Sequence, residues 1–332
     1  MSRTVIAVDA MGGDRAPDAV IEGAIQAARS LGVDVALAGP ASLLRDHLTR
    51  HGAAGEAGVS IIDAPDVVAM DEPALAAFRR KPRSSIRVAA DLVGAGEAQA
   101  LFSAGHSGVA FLTAHSAFGV LPGVDRPALA VTMPTETGAA VLLDAGANVE
   151  CRAEHLVQFG LMGAAYASIV LQVEQPRVGL LSIGEEAGKG TDLIRDAHAR
   201  LTAAPLNFIG NLEARDLFTG RADVVVCDGF TGNIALKVGE GLAESLEHML
   251  REELGSALVS QIGALLTRRA FARLRQRVDA SEYGAAPLLG VRELTLVGHG
   301  RSSPRAVESA IGMAVRLLEA RVLGRLAAAM AR

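Results

Sequence analysis

The sequence predicts an α/β fold, a mostly parallel sheet covered by helices on both faces, and three observations carry that prediction. Short β-rich runs alternate with longer stretches of helical periodicity along most of the 332 residues, the pattern that βαβ units produce. Several runs, such as Val224-Val225-Val226, are apolar without alternation, as strands buried on both faces are. Gly is abundant at 36 and apolar residues make up 50 %, which suits many tight strand-to-helix turns around a large core.

In chain order, strands are expected at residues 4–8, 35–38, 59–62, 100–102, 128–133, 139–143, 178–183, 207–209, 223–227 and within 293–297. Helical periodicity fills residues 17–31, 86–93, 154–171 and 191–201, the first with Pro17 near its start, where a missing N–H costs nothing. Residues 239–281 break the rhythm and read as two long helices with no strand between them, and a last helix covers about 304–329. Length alone allows two domains or one large α/β unit at about 150 residues per domain. With no repeat and no linker visible, the chain is expected to be a single catalytic domain, 1–332, with a helical excursion over about 241–281.

Bulk composition excludes several functions. With 32 basic and 37 acidic residues the net charge is −5, so no nucleic-acid partner is expected. Two cysteines, Cys151 and Cys227, make neither a disulfide framework nor a four-cysteine zinc site. The histidines form no metal-binding pair, and no metal or other cofactor is expected. The apolar run Val5–Val8 ends at Asp9, short of the roughly 7–15 residues of a secretory signal. Residues 155–173 carry no formal charge with a neutral His155, but Gln158, Tyr166, Ser168 and Gln172 interrupt them; a core helix is expected rather than a membrane span. The protein is expected in the cytoplasm.

Ligands of open α/β sheets bind beyond the carboxyl ends of the strands, so the loops there are the candidates. The first, Asp9-Ala10-Met11-Gly12-Gly13-Asp14, offers paired glycines before a helix, either an anion site or a tight turn with Asp14 as a helix cap. Lys189 stands between Gly188 and Gly190, but the spacing fails the P-loop test; the lysine holds a phosphate or is a solvated turn residue. Asp228-Gly229-Phe230-Thr231-Gly232-Asn233 leads into a helix with donors at Thr231 and Asn233, which also suit ordinary caps. Gly105-His106-Ser107-Gly108-Val109 nearly spells a nucleophile elbow, and Asp228 and His299 follow in the order of a hydrolase triad. Val109 nevertheless stands where that motif needs glycine. From Leu254 a helical apolar stripe includes Leu258, Ile262 and Leu265, with Arg268, Arg269 and Arg273 nearby, a basic amphipathic surface for an anionic partner, a membrane or a subunit interface.

Together these loops resemble the phosphate acyltransferase family of bacterial phospholipid synthesis, often called PlsX. The matching stretches include Ala7–Asp14, Asp71-Glu72-Pro73, Ser103-Ala104-Gly105, Gly123–Ala128, Leu143–Asn148, Pro176–Leu181, Gly210–Asp216 and Asp228–Asn233, so the resemblance spans essentially the whole chain. It implies a fold like that of isocitrate dehydrogenases and phosphotransacetylases, a three-layer α/β/α arrangement with a protruding helical pair. It further implies a homodimer with peripheral membrane contact, making acyl phosphate from acyl–acyl carrier protein and inorganic phosphate for a glycerol-3-phosphate acyltransferase. On this reading Lys189 and Asn233 are catalytic, and Gly12, Gly13, Thr231 and Gly232 cradle phosphate. Asp9 and Asp14 shape the loop, and Glu213, Arg215 and Asp216 line the crevice. Two departures stand out: His106-Ser107 replaces the family's Asn-Thr, and Ala285 replaces a glycine. A direct role for His106 and Ser107 in binding is therefore open. A serine thioesterase using Ser107 and a non-catalytic membrane scaffold are the alternatives.

Overall fold

The computed structural model describes residues 3–278 and 285–331. Its strands divide between two sheets, where the sequence pattern suggests one. The first has the order β3-β2-β1-β4-β12-β11-β5: β1 (Val5–Asp9), β2 (Asp34–Gly39), β3 (Val59–Asp63), β4 (Ala100–Ser103), β5 (Ala128–Leu129), β11 (Ala286–Leu289) and β12 (Leu294–Val297). The second has the order β6-β7-β10-β8-β9: β6 (Val131–Thr135), β7 (Gly138–Leu143), β8 (Arg177–Leu181), β9 (Asn207–Leu212) and β10 (Val224–Val226). Both are parallel except where β5, β11 and β6 join. The class of fold is the one the sequence predicts.

The division into two sheets passes through the run read as one strand over 128–133. Leu129 and Ala128 pair with β11, Val131 begins the hairpin with β7, and Ala130 between them donates its N–H to Pro287 O. The apolar run is continuous because both short strands are buried. Hydrophobicity reports burial, not which sheet a residue joins.

Helices cover the sheets. Helix α1 (Asp18–Leu31) packs on α10 (Pro304–Glu319) so closely that a Cβ on Gly23 would lie 2.4 Å from Pro304 O. Helix α6 (Ala153–Val170) buries Leu156, Phe159, Met162 and Tyr166 completely, which identifies the uncharged stretch as a core helix. Among the described residues no helix is long and apolar enough to cross a membrane. The sequence pattern under-reads the short helices α2 (Ala41–Arg50), α3 (Ala74–Arg80) and α5 (Ser107–Phe118); α4 (Ser85–Gly94) and α7 (Asp192–Ala203) match the expected positions. The expected last helix breaks at Arg321, whose φ of 51° separates α10 from α11 (Val322–Met330).

The helical excursion consists of α8 (Gly229–Gly255) and α9 (Leu258–Val278). Helix α8 runs straight out of the loop after β10, so the helix expected behind that loop and the first helix of the excursion are one. The expected end of the excursion, at about 281, lies outside the described residues.

At the amino ends of the second sheet, Asp223 accepts from the Arg177 backbone N–H at 2.8 Å and from its guanidinium at 3.0 and 2.8 Å. Burial alone would raise this carboxyl, but the Arg177 contacts bring it below the usual carboxylate range. A carboxylate with a depressed folded pKa stabilises above its unfolded value, about 3.9, and that contribution is lost as pH falls through the folded one. Asp223→Asn is therefore expected to lower the urea midpoint at pH 7, with the deficit shrinking at pH 3. A deficit that grows on acidification would contradict the assignment.

Candidate active site

The first sheet contributes the loops after β1, β4 and β12. Asp9 is buried, accepting from Ser103 Oγ at 2.7 Å and Met11 N at 3.2 Å, while Ser103 Oγ accepts from Gly105 N at 3.1 Å. Burial pushes the Asp9 carboxyl up against the opposing pull of these donors. The β1 and β4 loops thus meet backbone to backbone: a Cβ on Gly12 would lie 2.6 Å from Gly105 N. Gly13 adopts φ +109° against Gly300 O, and Asp14 N donates to that same carbonyl at 2.8 Å. Asp14 caps no helix; α1 begins four residues later behind Pro17.

His106 is the N-cap of α5, its Nδ1 accepting from Gly108 N at 3.1 Å. The imidazole serves as a helix cap, since its unprotonated nitrogen is an acceptor. Ser107 is exposed in the first turn. The hydrolase triad is absent. Asp228 spends its carboxylate on Thr231, and His299 faces Lys237 and the Arg301 backbone instead of a serine. Burial pushes the Cys151 thiol up to about 12 and Cys227 well above the ordinary range, which disfavours the thiolate at both.

The second sheet contributes the loops after β7, β10, β8 and β9. The centre is Asp144, fully buried. Its Oδ1 accepts from the backbone N–H groups of Leu129, Gly146 and Ala147 at 3.0–3.1 Å. Its Oδ2 accepts from Asn148 N at 2.6 Å and Asn148 Nδ2 at 2.8 Å. Burial raises the Asp144 carboxyl, and these donors oppose it. Nothing in residue order marks Asp144 for this role, because an acidic residue at a strand end carries no local sign that five donors converge on it.

Helix α8 docks on this loop. Gly229 N donates to Asn148 O at 2.7 Å, and a Cβ on Gly232 would lie 1.9 Å from Asp144 O. The expected anion cradle at Thr231 and Gly232 therefore needs correction. Thr231 directs its N–H and hydroxyl to Asp228, and the Gly232 N–H goes to Asp228 O, so these donors cap the helix. Asn233 remains exposed, its side chain 3.5–3.7 Å from where a Gly146 Cβ would point.

Lys189 follows β8, one strand beyond β10, and its stem lies over Gly184. It is exposed, and among the described residues no carboxylate pairs with its ammonium. Glu213, Arg215 and Asp216 follow β9, a further strand out. They serve each other: Glu213 N donates to Asp216 at 3.0 Å, Arg215 pairs with Glu213 at 2.9 Å, and Arg221 ties Asp216 to Glu185. The sheet order thus places Asn233 centrally, Lys189 beside it and the Glu213 turn outermost.

The two sets of loops share a small cavity of about 60 Å³ lined by Ser107, Phe111, Leu129, Gly146, Leu288 and Val297. Lys237, four residues beyond Asn233, reaches His299 of the β12 loop at 3.0 Å. The only sign of Lys237 in residue order is its i+4 spacing from Asn233, which places both on one helix face.

On the excursion, Phe230, Ile234, Val238, Leu242 and Leu246 form an exposed apolar stripe along α8. On α9, Ile262 and Leu265 are exposed, as are Arg268 and Arg269; the Leu258 and Arg273 side chains lie outside the described residues.

An α/β enzyme with a polar crevice between two strand-end loop sets is the class this site defines. The chain belongs to the family described as fatty acid synthesis protein, whose model matches residues 4–325. It is 49 % identical over 319 residues to a phosphate acyltransferase of Acidobacterium capsulatum, covering 96 % of this chain and 95 % of that one. It is 48 % identical over 320 residues to a phosphate acyltransferase of Nitratidesulfovibrio vulgaris, with 96 % and 92 % covered. Among solved structures, a phosphotransacetylase from Streptococcus pyogenes superposes with a TM-score of 0.64 at 18 % identity, covering 96 % of this chain and 94 % of that one. The EutD phosphotransacetylase from Staphylococcus aureus does so with 0.60 at 17 %, covering 95 % and 94 %. At these identities the structural likeness concerns the fold.

Gly232→Ala is expected to displace the start of α8 from the Asp144 loop. Overpacking costs about 1–3 kcal/mol, and a backbone carbonyl cannot step aside as a side chain can. Urea unfolding should show the loss, and turnover should fall with it; an unchanged midpoint would mean that the two backbones do not pack as described.

Proposed function

We propose that this protein is a phosphate acyltransferase that converts acyl–acyl carrier protein and inorganic phosphate into acyl phosphate and free carrier protein. The near-full-length identity to phosphate acyltransferases carries this reading. With Asp228 and His299 engaged elsewhere than on Ser107, direct attack is favoured: a phosphate oxygen bonds to the thioester carbonyl carbon, the C–S bond breaks, and the carrier sulfur leaves as the thiol with the proton that the phosphate releases. The protein's task is then to position phosphate and stabilise the oxyanion. Lys189 supplies positive charge to the oxyanion or phosphate, and Asn233 donates a hydrogen bond to one of them. Gly12, Gly13, Asp9, Asp14, Asp144 and Gly232 hold the loops in place. The apolar cavity beside Gly146 takes the first carbons of the acyl chain.

Thiol release from palmitoyl–acyl carrier protein should require phosphate and yield acyl phosphate. Release without phosphate would favour a thioesterase, and none in either condition a scaffold. Lys189→Ala should cut turnover at least about tenfold, the loss of one charge-assisted contact, with the thermal midpoint nearly unchanged. Wild-type turnover would remove Lys189 from the mechanism.

The same reading places the protein in the cytoplasm as a homodimer at the membrane surface, passing its product to a glycerol-3-phosphate acyltransferase. The α8 stripe faces a second copy. Ile262, Leu265, Arg268 and Arg269 on α9 meet anionic lipid or the acidic carrier protein, an apolar and cationic combination suited to either. Ile262→Glu with Leu265→Glu should reduce flotation with phosphatidylglycerol vesicles. Undiminished flotation would assign the membrane contact elsewhere.

A further inference from the structure

Lys237 and His299 present a hydrogen-bonding conflict that an anion resolves. Lys237 Nζ lies 2.8 Å from Glu240 Oε2 and 3.0 Å from His299 Nε2. The lysine's ammonium only donates, and one of its donors is directed at the Glu240 carboxylate. On the far side of the ring, His299 Nδ1 receives the Arg301 backbone N–H at 3.2 Å. A neutral imidazole has one acceptor nitrogen, yet two donors converge on it from opposite sides. In either tautomer one N–H faces another. Protonation removes the remaining acceptor, and burial together with nearby Lys237 holds His299 below its ordinary pKa.

The other charges around the ring are Arg301 on its own loop, Asp14 from the β1 loop and Glu240 from α8. Arg301 is turned toward Glu244 at 3.2 Å. An oxygen that accepts from both the Lys237 ammonium and the His299 Nε2–H satisfies all of these groups, while Nδ1 continues to accept from Arg301. The location fits a substrate. Lys237 shares a face of α8 with Asn233. His299 adjoins Gly300, whose carbonyl receives Asp14 N and lies against Gly13. Three of the crevice's loop and helix elements therefore meet at this pair.

We propose that Lys237 and His299 hold the attacking inorganic phosphate, Lys237 as its charge partner and His299 as the neutral donor that orients it. This rests on the phosphate acyltransferase reading and assigns the nucleophile's position within it. His299 and Lys237 thereby lie within the reacting site, and Glu240 is a positioning residue that holds the lysine's ammonium in place.

The test is steady-state kinetics of Lys237→Gln, Lys237→Arg, His299→Ala and His299→Gln with phosphate and acyl–acyl carrier protein varied separately. Lys237→Gln should raise the KM for phosphate at least about tenfold, as loss of a charge-assisted hydrogen bond does, and leave the KM for acyl–acyl carrier protein within about twofold. Lys237→Arg should restore part of it. His299→Gln, which keeps an N–H donor, should lie closer to wild type than His299→Ala. In parallel, inorganic phosphate should raise the thermal midpoint of the wild type but not of Lys237→Gln, a readout independent of turnover. A folded Lys237→Gln with unchanged phosphate KM and unchanged thermal response overturns the assignment while leaving the acyltransferase reading intact. Wild-type thiol release without phosphate dependence would defeat that reading instead. If Lys237→Gln does not fold, Lys237→Arg and the His299 pair decide: three wild-type phosphate KM values reject the site.

Discussion

The junction between the two sheets depends on one buried carboxylate. Asp144 gathers the N–H groups of Leu129 from the first sheet and of Gly146, Ala147 and Asn148 from its own loop. Unpaired backbone donors inside a protein each cost about 1–3 kcal/mol, so a single acceptor that satisfies several of them fixes the loop more firmly than apolar packing can. Its own carbonyl then forms the floor on which α8 rests, at the distance only a glycine at 232 allows. The direction of α8, and with it the positions of Asn233 and Lys237, follows from that contact.

The first sheet uses the same device on a smaller scale. Asp9, Ser103 and the Gly105 N–H form a short chain of hydrogen bonds that holds the β1 and β4 loops together. Both acidic residues are thus consumed by the scaffold. The groups left facing the crevice are an amide, lysines and a neutral imidazole, which suit anionic substrates. A reaction whose nucleophile arrives already charged needs no stronger base from the protein.

Much of this was legible in residue order. The βαβ rhythm, the buried uncharged helix and the strand-end loops all follow from periodicity, because burial and hydrophobicity report the same physical fact. The division into two sheets was not legible, since Ala130 looks like any other residue of an apolar strand. The loops after β1, β4 and β10 could be found, but the roles within them could not. Thr231 is an N-terminal donor in either reading, and only geometry sends it to Asp228. His106 looked like a departure and acts as a cap. Lys237 and His299, 62 residues apart, carry no common signal until the fold sets them side by side.

The strand order also dictates when the protein can become whole. β4 lies between β1 and β12 in the first sheet, yet β12 comes from Leu294–Val297. A ribosome working at about 5–20 residues per second needs about 10–40 s to make the intervening chain. For that interval β3, β2, β1 and β4 can pair in that order, but the other edge of β4 has no partner. An open parallel edge is a template for mispairing, so the chain's later half, which brings the second sheet and the helical pair, is also the time during which its first sheet is most exposed to aggregation.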